Sequence, residues 1–127
     1  MTPWNSDDTP NFTRQEMACR CGQCGSRQDM DGAFMAKLQA MRTMLGPLTI
    51  NCGFRCPLHP DERAKERPGS HAQGMAADIA VTHGTSRFDL VHAAMAVGMV
   101  GIGVGNGFIH VDSGHDHAPR PALWKYD

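Results

Sequence analysis

No stretch of this chain approaches the ~20 consecutive apolar residues that a membrane-crossing helix needs. Neither sign of charge dominates: 12 Lys and Arg stand against 13 Asp and Glu, a formal net charge of -1. A chain so balanced has no electrostatic footprint for nucleic acid or for an anionic membrane surface. Residues 1–13 are polar and carry Asp7 and Asp8. They lack the basic start and apolar stretch of a secretory leader, so synthesis in the cytoplasm is the expectation. Internal repeats and low-complexity segments are missing too. What remains is 127 residues with 41% hydrophobic content. That suits one compact domain with its own core, which does not need covalent staples. Residues 1–12 read as a flexible or loosely docked lead-in, with Pro3, Asn5, Ser6, Pro10 and Asn11. The domain proper is expected over 13–127.

Cysteine is present in an odd number, five, so at least one thiol stays outside any intramolecular disulfide. Cys19, Cys21 and Cys24 cluster; Cys52 and Cys56 follow. In a reducing compartment thiols or a metal site outrank bridges. Only Cys21-Gly22-Gln23-Cys24 has the spacing of a structural zinc pair. Against a second metal, buried thiols or an opportunistic disulfide are the plainer readings of the whole cluster.

The pattern along the chain predicts α+β. Thr13 to Glu16 is a capping box that opens a short helical turn. Asp31 caps a helix whose Phe34, Leu38, Met41 and Leu45 form one apolar stripe, and Gly46-Pro47 ends it. Leu48–Cys52 alternates like a strand, and the Pro-rich, charged 53–69 is a loop. Met75–Val81 reads as a buried strand. Ser86 caps a helix that runs to about Val97. Val100–Val104 and Phe108–Asp112 flank Gly105-Asn106-Gly107, a hairpin signal. The tail is polar until Leu123–Tyr126, which can dock back. The expected architecture is a small antiparallel or mixed sheet with helices packed on it.

Two polar positions interrupt the apolar strands. A lone Asp78 among Ala77, Ile79 and Val81 is costly to bury unpaired, and a cation relieves that cost. His110 sits in the other strand, and Asp112, two residues on, shares its face. His71 lies seven residues before Asp78, so both can reach one ion only if the chain folds back, a freedom Gly74 supplies. Two imidazoles and a carboxylate are a sufficient ligand set for a catalytic zinc with an open position. The plainer alternatives are a hydrogen-bonded core histidine and a salt-bridged aspartate.

Three ordered segments resemble the M15 zinc peptidases, the D-alanyl-D-alanine carboxypeptidase family. Ser70-His71-Ala72-Gln73-Gly74-Met75-Ala76-Ala77-Asp78 is similar to its S-x-H-x-x-G-x-A-x-D signature, offset in that Ser70 directly precedes His71. Asn51 to His59 resembles its S-G-[YF]-R-[SC]-P-x-H segment. Gly101–Val104 through Phe108–Asp112 resembles the G-I-G…F-[IV]-H-[IV]-D segment of small phage and bacterial members, and Phe12–Cys19 looks like the start of phage-type versions.

The resemblance implies a hedgehog/D-Ala-D-Ala-peptidase-like fold and a Zn2+ hydrolase acting on the peptidoglycan stem peptide. It implies His71, Asp78 and His110 as metal ligands. Arg55 matches the arginine that holds substrate or polarises the scissile carbonyl, and Ser70 is implied in positioning substrate. Many members carry an acidic residue three positions before the last histidine, where this chain has Gly107. Asp112 is therefore the expected general base, with orientation of a ligand imidazole as its alternative role. His59, His115 and His117 are further acid–base candidates, the last two set against a solvated tail. The activity expected is carboxypeptidase or endopeptidase. The setting expected is the cell wall, as a phage-encoded lysis or virion-associated enzyme. A non-catalytic zinc-bound wall-binding or tail module is the rival from another class.

Overall fold

The computed structural model describes residues 2–114 and 117–126. Two helices pack on a five-stranded mixed sheet, an α+β arrangement consistent with an M15/hedgehog-like fold. In chain order the elements are α1 (Gly32–Leu45), β1 (Ile50–Cys52), β2 (Ala76–Ala80), α2 (Arg87–Ala96), β3 (Gly101–Val104), β4 (Phe108–Asp112) and β5 (Ala122–Lys125). The sheet order is β1-β2-β4-β3-β5. All neighbours are antiparallel except β3 and β5, which run parallel.

Local chemistry sets the element ends. The Asp31 carboxylate accepts from Phe34 N at 3.0 Å and so caps α1, and the Ser86 hydroxyl accepts from Asp89 N to cap α2. Gly46 ends α1 with its N–H on Arg42 O. The capping box closes both ways, Thr13 N to Glu16 Oε1 and Glu16 N to Thr13 Oγ1, but supports only a single turn. Gly105 N meets Phe108 O at 2.9 Å and closes the β3–β4 hairpin.

Strand alternation divides the sheet into two chemically different faces. Ala77, Ile79, Ile109 and Val111 are wholly buried, in one core with Phe34, Leu38, Met41, Leu90, Ala93 and Ala94 of the helices. Each of the Ile, Val, Leu, Phe and Met side chains among them contributes roughly 1.5–3 kcal/mol through burial. The intervening positions, Asp78, His110 and Asp112, fall on the opposite face. The register sets Asp78 directly across from His110.

The polar composition of residues 1–12 conceals an anchor. Trp4, Thr9 and Phe12 are buried, and the Trp4 indole N–H donates to Thr9 Oγ1 at 2.9 Å. Thr2 N donates to Asp31 Oδ1, so this segment also supports the start of α1.

Candidate active site and metal centre

His71 arrives from a turn rather than a strand. Ser70 to Gly74 fold back tightly: Gly74 N bonds His71 O, Met75 N bonds Ser70 O, and Gly74 adopts φ +73°, a conformation that favours glycine. The seven-residue spacing thereby collapses into a contact. His71 Nε2 lies 3.2 Å from Asp78 Oδ1, and His110 Nδ1 lies 3.1 Å from the same oxygen. The two rings meet edge to face with centroids 5.1 Å apart. The structure thus brings His71, Asp78 and His110 together.

The outer nitrogens of both imidazoles are held. His71 Nδ1 donates to Gly53 O at 2.8 Å, and His110 Nε2 lies 2.7 Å from Asp112 Oδ2. These contacts fix which nitrogen of each ring faces inward, the arrangement that orients a metal-binding histidine. Asp112 is completely buried. Arg120 grips both its oxygens at 2.9 Å, and Gly114 N donates to Oδ1. These cationic and hydrogen-bonding partners overcome burial and hold the Asp112 carboxyl well below the usual range.

Asp78 behaves likewise. Burial would raise its carboxyl, but His110 and His71 hold it well below its ordinary value. Burial pulls His71 the other way, and Asp78 with Cys52 more than offsets that, pushing His71 up to about 9. An imidazole this buried is driven to carry charge because the carboxylate beside it needs a counter-charge. A bound cation would meet the same need, so the donor set fits a metal.

Arg55 borders the cluster. Its side chain lies 3.6 Å from Asp78, 3.7 Å from Asp61 and 3.9 Å from Glu62, all longer than a hydrogen bond. Its Nε is buried with no hydrogen-bond partner among the described residues. The cation is thus close to the cluster, loosely paired with three carboxylates. Burial opposes its charge, and Cys52, Asp78 and Asp61 outweigh that and raise its value further.

These groups open onto a cleft of about 400 Å³. Arg55, Lys65 and Ser70 line one part, and Phe108, Trp124 and Tyr126 line another. The aromatic part depends on β5. Trp124 approaches His110 with ring centroids 5.3 Å apart, and the Arg120 guanidinium lies over the Trp124 ring. Glycines on β3 make room for both layers. A Cβ on Gly101 would collide with the Asp112 carboxylate, and one on Gly103 would lie 2.7 Å from Trp124 Nε1. The G-I-G pattern is therefore a space requirement of the site.

The matching family model is Peptidase M15, over residues 10–112. The chain belongs to the M15 peptidase family. No curated protein matches it significantly. Membership in M15 implies a metallopeptidase with a peptide substrate. The match ends at Asp112, so Arg120, Trp124 and Tyr126 lie beyond the matched residues.

The other sequence candidates are spread around the M15 cleft. Ser70 is buried at its edge. His59 accepts from Asp61 N, outside the cluster. His117 Nε2 lies 2.7 Å from Pro68 O, so this partly exposed residue is tied to the loop beside the cleft. His115 lies outside the described residues. Sequence reading missed Cys52, whose Sγ lies 3.7 Å from His71 Nδ1, and which groups with His71 and Asp78 as a set able to hold an ion. Because His71 Nδ1 already meets Gly53 O at 2.8 Å, His71 Nε2 is the nitrogen free to face an ion. That nitrogen faces Asp78 Oδ1, which His110 Nδ1 also approaches. Arg120 gave no signal in the sequence: it follows Asp112 by eight residues in a polar tail.

Proposed function

We propose that the chain is a zinc-dependent peptidase of the peptidoglycan stem peptide, with His71, Asp78 and His110 as the ligands. The observation that carries this reading is the convergence of His71 Nε2 and His110 Nδ1 on one Asp78 oxygen, with both outer nitrogens held. A zinc ion there would supply Lewis acidity for polarising an amide and activating water. Every other part of the chemistry falls to the chain. The Arg55 guanidinium, lining the cleft, suits a substrate carbonyl, a developing oxyanion or a terminal carboxylate. Ser70 shapes the rim beside His71. Phe108, Trp124 and Tyr126 form the apolar wall against which a short peptide lies.

In this reading Asp112 orients His110, because all its partners are internal and it does not border the cleft. Asp61 is the bordering carboxylate outside the ligand cluster, and its side chain is 61% exposed. In this reading it accepts the proton. The mixed cationic and aromatic cleft suits a carboxypeptidase that holds a terminal carboxylate, and action on the wall, with a phage-encoded or virion-associated setting, belongs to the same proposal.

One observation favours a second reading. Gly107, where many relatives carry an acid, sits in the hairpin at φ +89° and offers no side chain. A non-catalytic zinc-bound wall-binding module would tolerate that. Digestion of purified peptidoglycan with zinc-loaded and chelated protein, read by mass spectrometry, separates the two. Zinc-dependent release of defined fragments supports the peptidase and names the bond. Stoichiometric zinc and wall binding without fragments would establish the binding module instead.

A further inference from the structure

A second cluster of metal-ligating side chains lies away from the cleft. Cys19, Cys21 and Cys24 come from the Gly-rich segment before α1, and Cys56 comes from the loop after β1. Their four Sγ atoms all lie within 4.8 Å of one another. Cys19 and Cys56 are buried, Cys21 and Cys24 partly so, and all four are free thiols. Cys21 Sγ and Cys56 Sγ stand 3.5 Å apart. A tetrahedron with zinc–sulfur bonds of ~2.3 Å has sulfur–sulfur edges of ~3.8 Å, close to that separation.

The backbone is arranged around the sulfurs as well. Gln23 N donates to Cys21 Sγ at 3.4 Å within the Cys21–Cys24 turn, and Cys56 N donates to Cys19 Sγ at 3.3 Å across the two loops. Such N–H groups stabilise thiolates. Gly22 and Gly25 take φ +77° and +71°, which lets the segment curl so that three cysteines face one point. Arg27 lies within electrostatic reach of Cys24 and Cys56, a cation suited to a tetrathiolate site with net negative charge.

We propose that Cys19, Cys21, Cys24 and Cys56 hold a structural zinc ion, separate from the histidine site. Four soft donors in tetrahedral reach, none left open for substrate, define a closed structural site rather than a catalytic one. Its place in the fold gives it a purpose. Cys56 directly follows Arg55, so an ion there ties the loop bearing the cleft arginine to the Cys19–Cys24 segment. That segment is already joined to β1 by Arg20, which donates to Ile50 O and Asn51 O.

The test uses the full chain purified under reducing conditions, in a His71→Ala/His110→Ala background that removes the other site. The expected result is one equivalent of zinc retained per chain. Replacement by cobalt should give the sulfur-to-metal charge-transfer band and intense visible bands of a tetrahedral tetrathiolate. A thiol-blocking mercurial should release the metal, and Cys21→Ser/Cys24→Ser should lose the equivalent. A folded His71→Ala/His110→Ala protein that retains no zinc, or a cobalt form without charge-transfer absorption, would overturn the proposal. Neither measurement depends on the serine variant folding, and neither depends on hydrolytic activity.

Discussion

Two groups of side chains able to ligate a metal sit in this molecule on opposite kinds of scaffold. His71, Asp78 and His110 depend on the central strands β2 and β4 and one tight turn. Cys19, Cys21, Cys24 and Cys56 hang entirely on loops. The strand group shares a cleft with an arginine and an aromatic wall, and the register across β2 and β4 sets its spacing. The loop group has only its own sulfurs and backbone N–H groups to define it. A rigid sheet can hold an incomplete ligand set open for chemistry. A closed set of ligands can give a loop comparable order.

The comparison breaks most sharply at His71. His71→Ala should abolish peptidase activity and remove one metal equivalent, with the cysteine group's equivalent kept. Metal analysis beside a peptidoglycan digest checks both, and activity surviving in the zinc-depleted variant would refute the ligand assignment. Next in size, Arg55→Ala should lower kcat/KM by roughly 10²–10³-fold, as loss of an oxyanion partner does, with metal content unchanged.

Asp112→Asn probes whether the sheet orients its ligands through this buried carboxylate. Loss of an orienting partner typically costs about 10–100-fold in metal affinity or activity. A weakened zinc affinity is therefore expected, measured by competition with a chelator. Unchanged affinity with turnover lost would make Asp112 the general base instead, and Asp61→Asn would then leave turnover intact.

The smallest effect concerns metal-free protein. His71 is raised to about 9, above its unfolded value near 6.5. Its stabilising charge pair with Asp78 is then complete below pH ~6.5 and lost as pH rises through about 9. Chelated protein should therefore melt at falling temperature across that window, losing roughly 1.4 kcal/mol per pH unit at most. Zinc-loaded protein and a His71→Gln variant should show a flatter profile. Equal slopes in all three would mean that His71 carries no such charge.

Much of the fold was legible because its signals are local. The Asp31 and Ser86 caps, the Phe34–Leu45 stripe and the Gly105-Asn106-Gly107 turn each act within a few residues, and α1, α2 and the β3–β4 hairpin follow them closely. Trp4 was harder to place, since an isolated aromatic flanked by polar residues says nothing about which surface receives it. For the site, period-two alternation put His110 and Asp112 on one face, and the M15-like motifs supplied His71, Asp78 and Arg55 as candidates. The roles of Cys52, Arg120 and Trp124 had no comparable local cue.

The sequence by itself determined the residue types available, the strand and helix periods, and so which side chains share a face. Only the tertiary structure decided what meets across the sheet. It placed β2 beside β4 with Asp78 opposite His110, and it brought β5 alongside β3 so that Arg120 closes on Asp112 and Trp124 covers His110. It also carried Cys56 to three cysteines more than 30 residues earlier in the chain. The physical reason is range: caps, turns and alternation are set by neighbours in sequence. Strand order and loop closure are set by packing free energy summed over the whole domain, which no short window of residues contains.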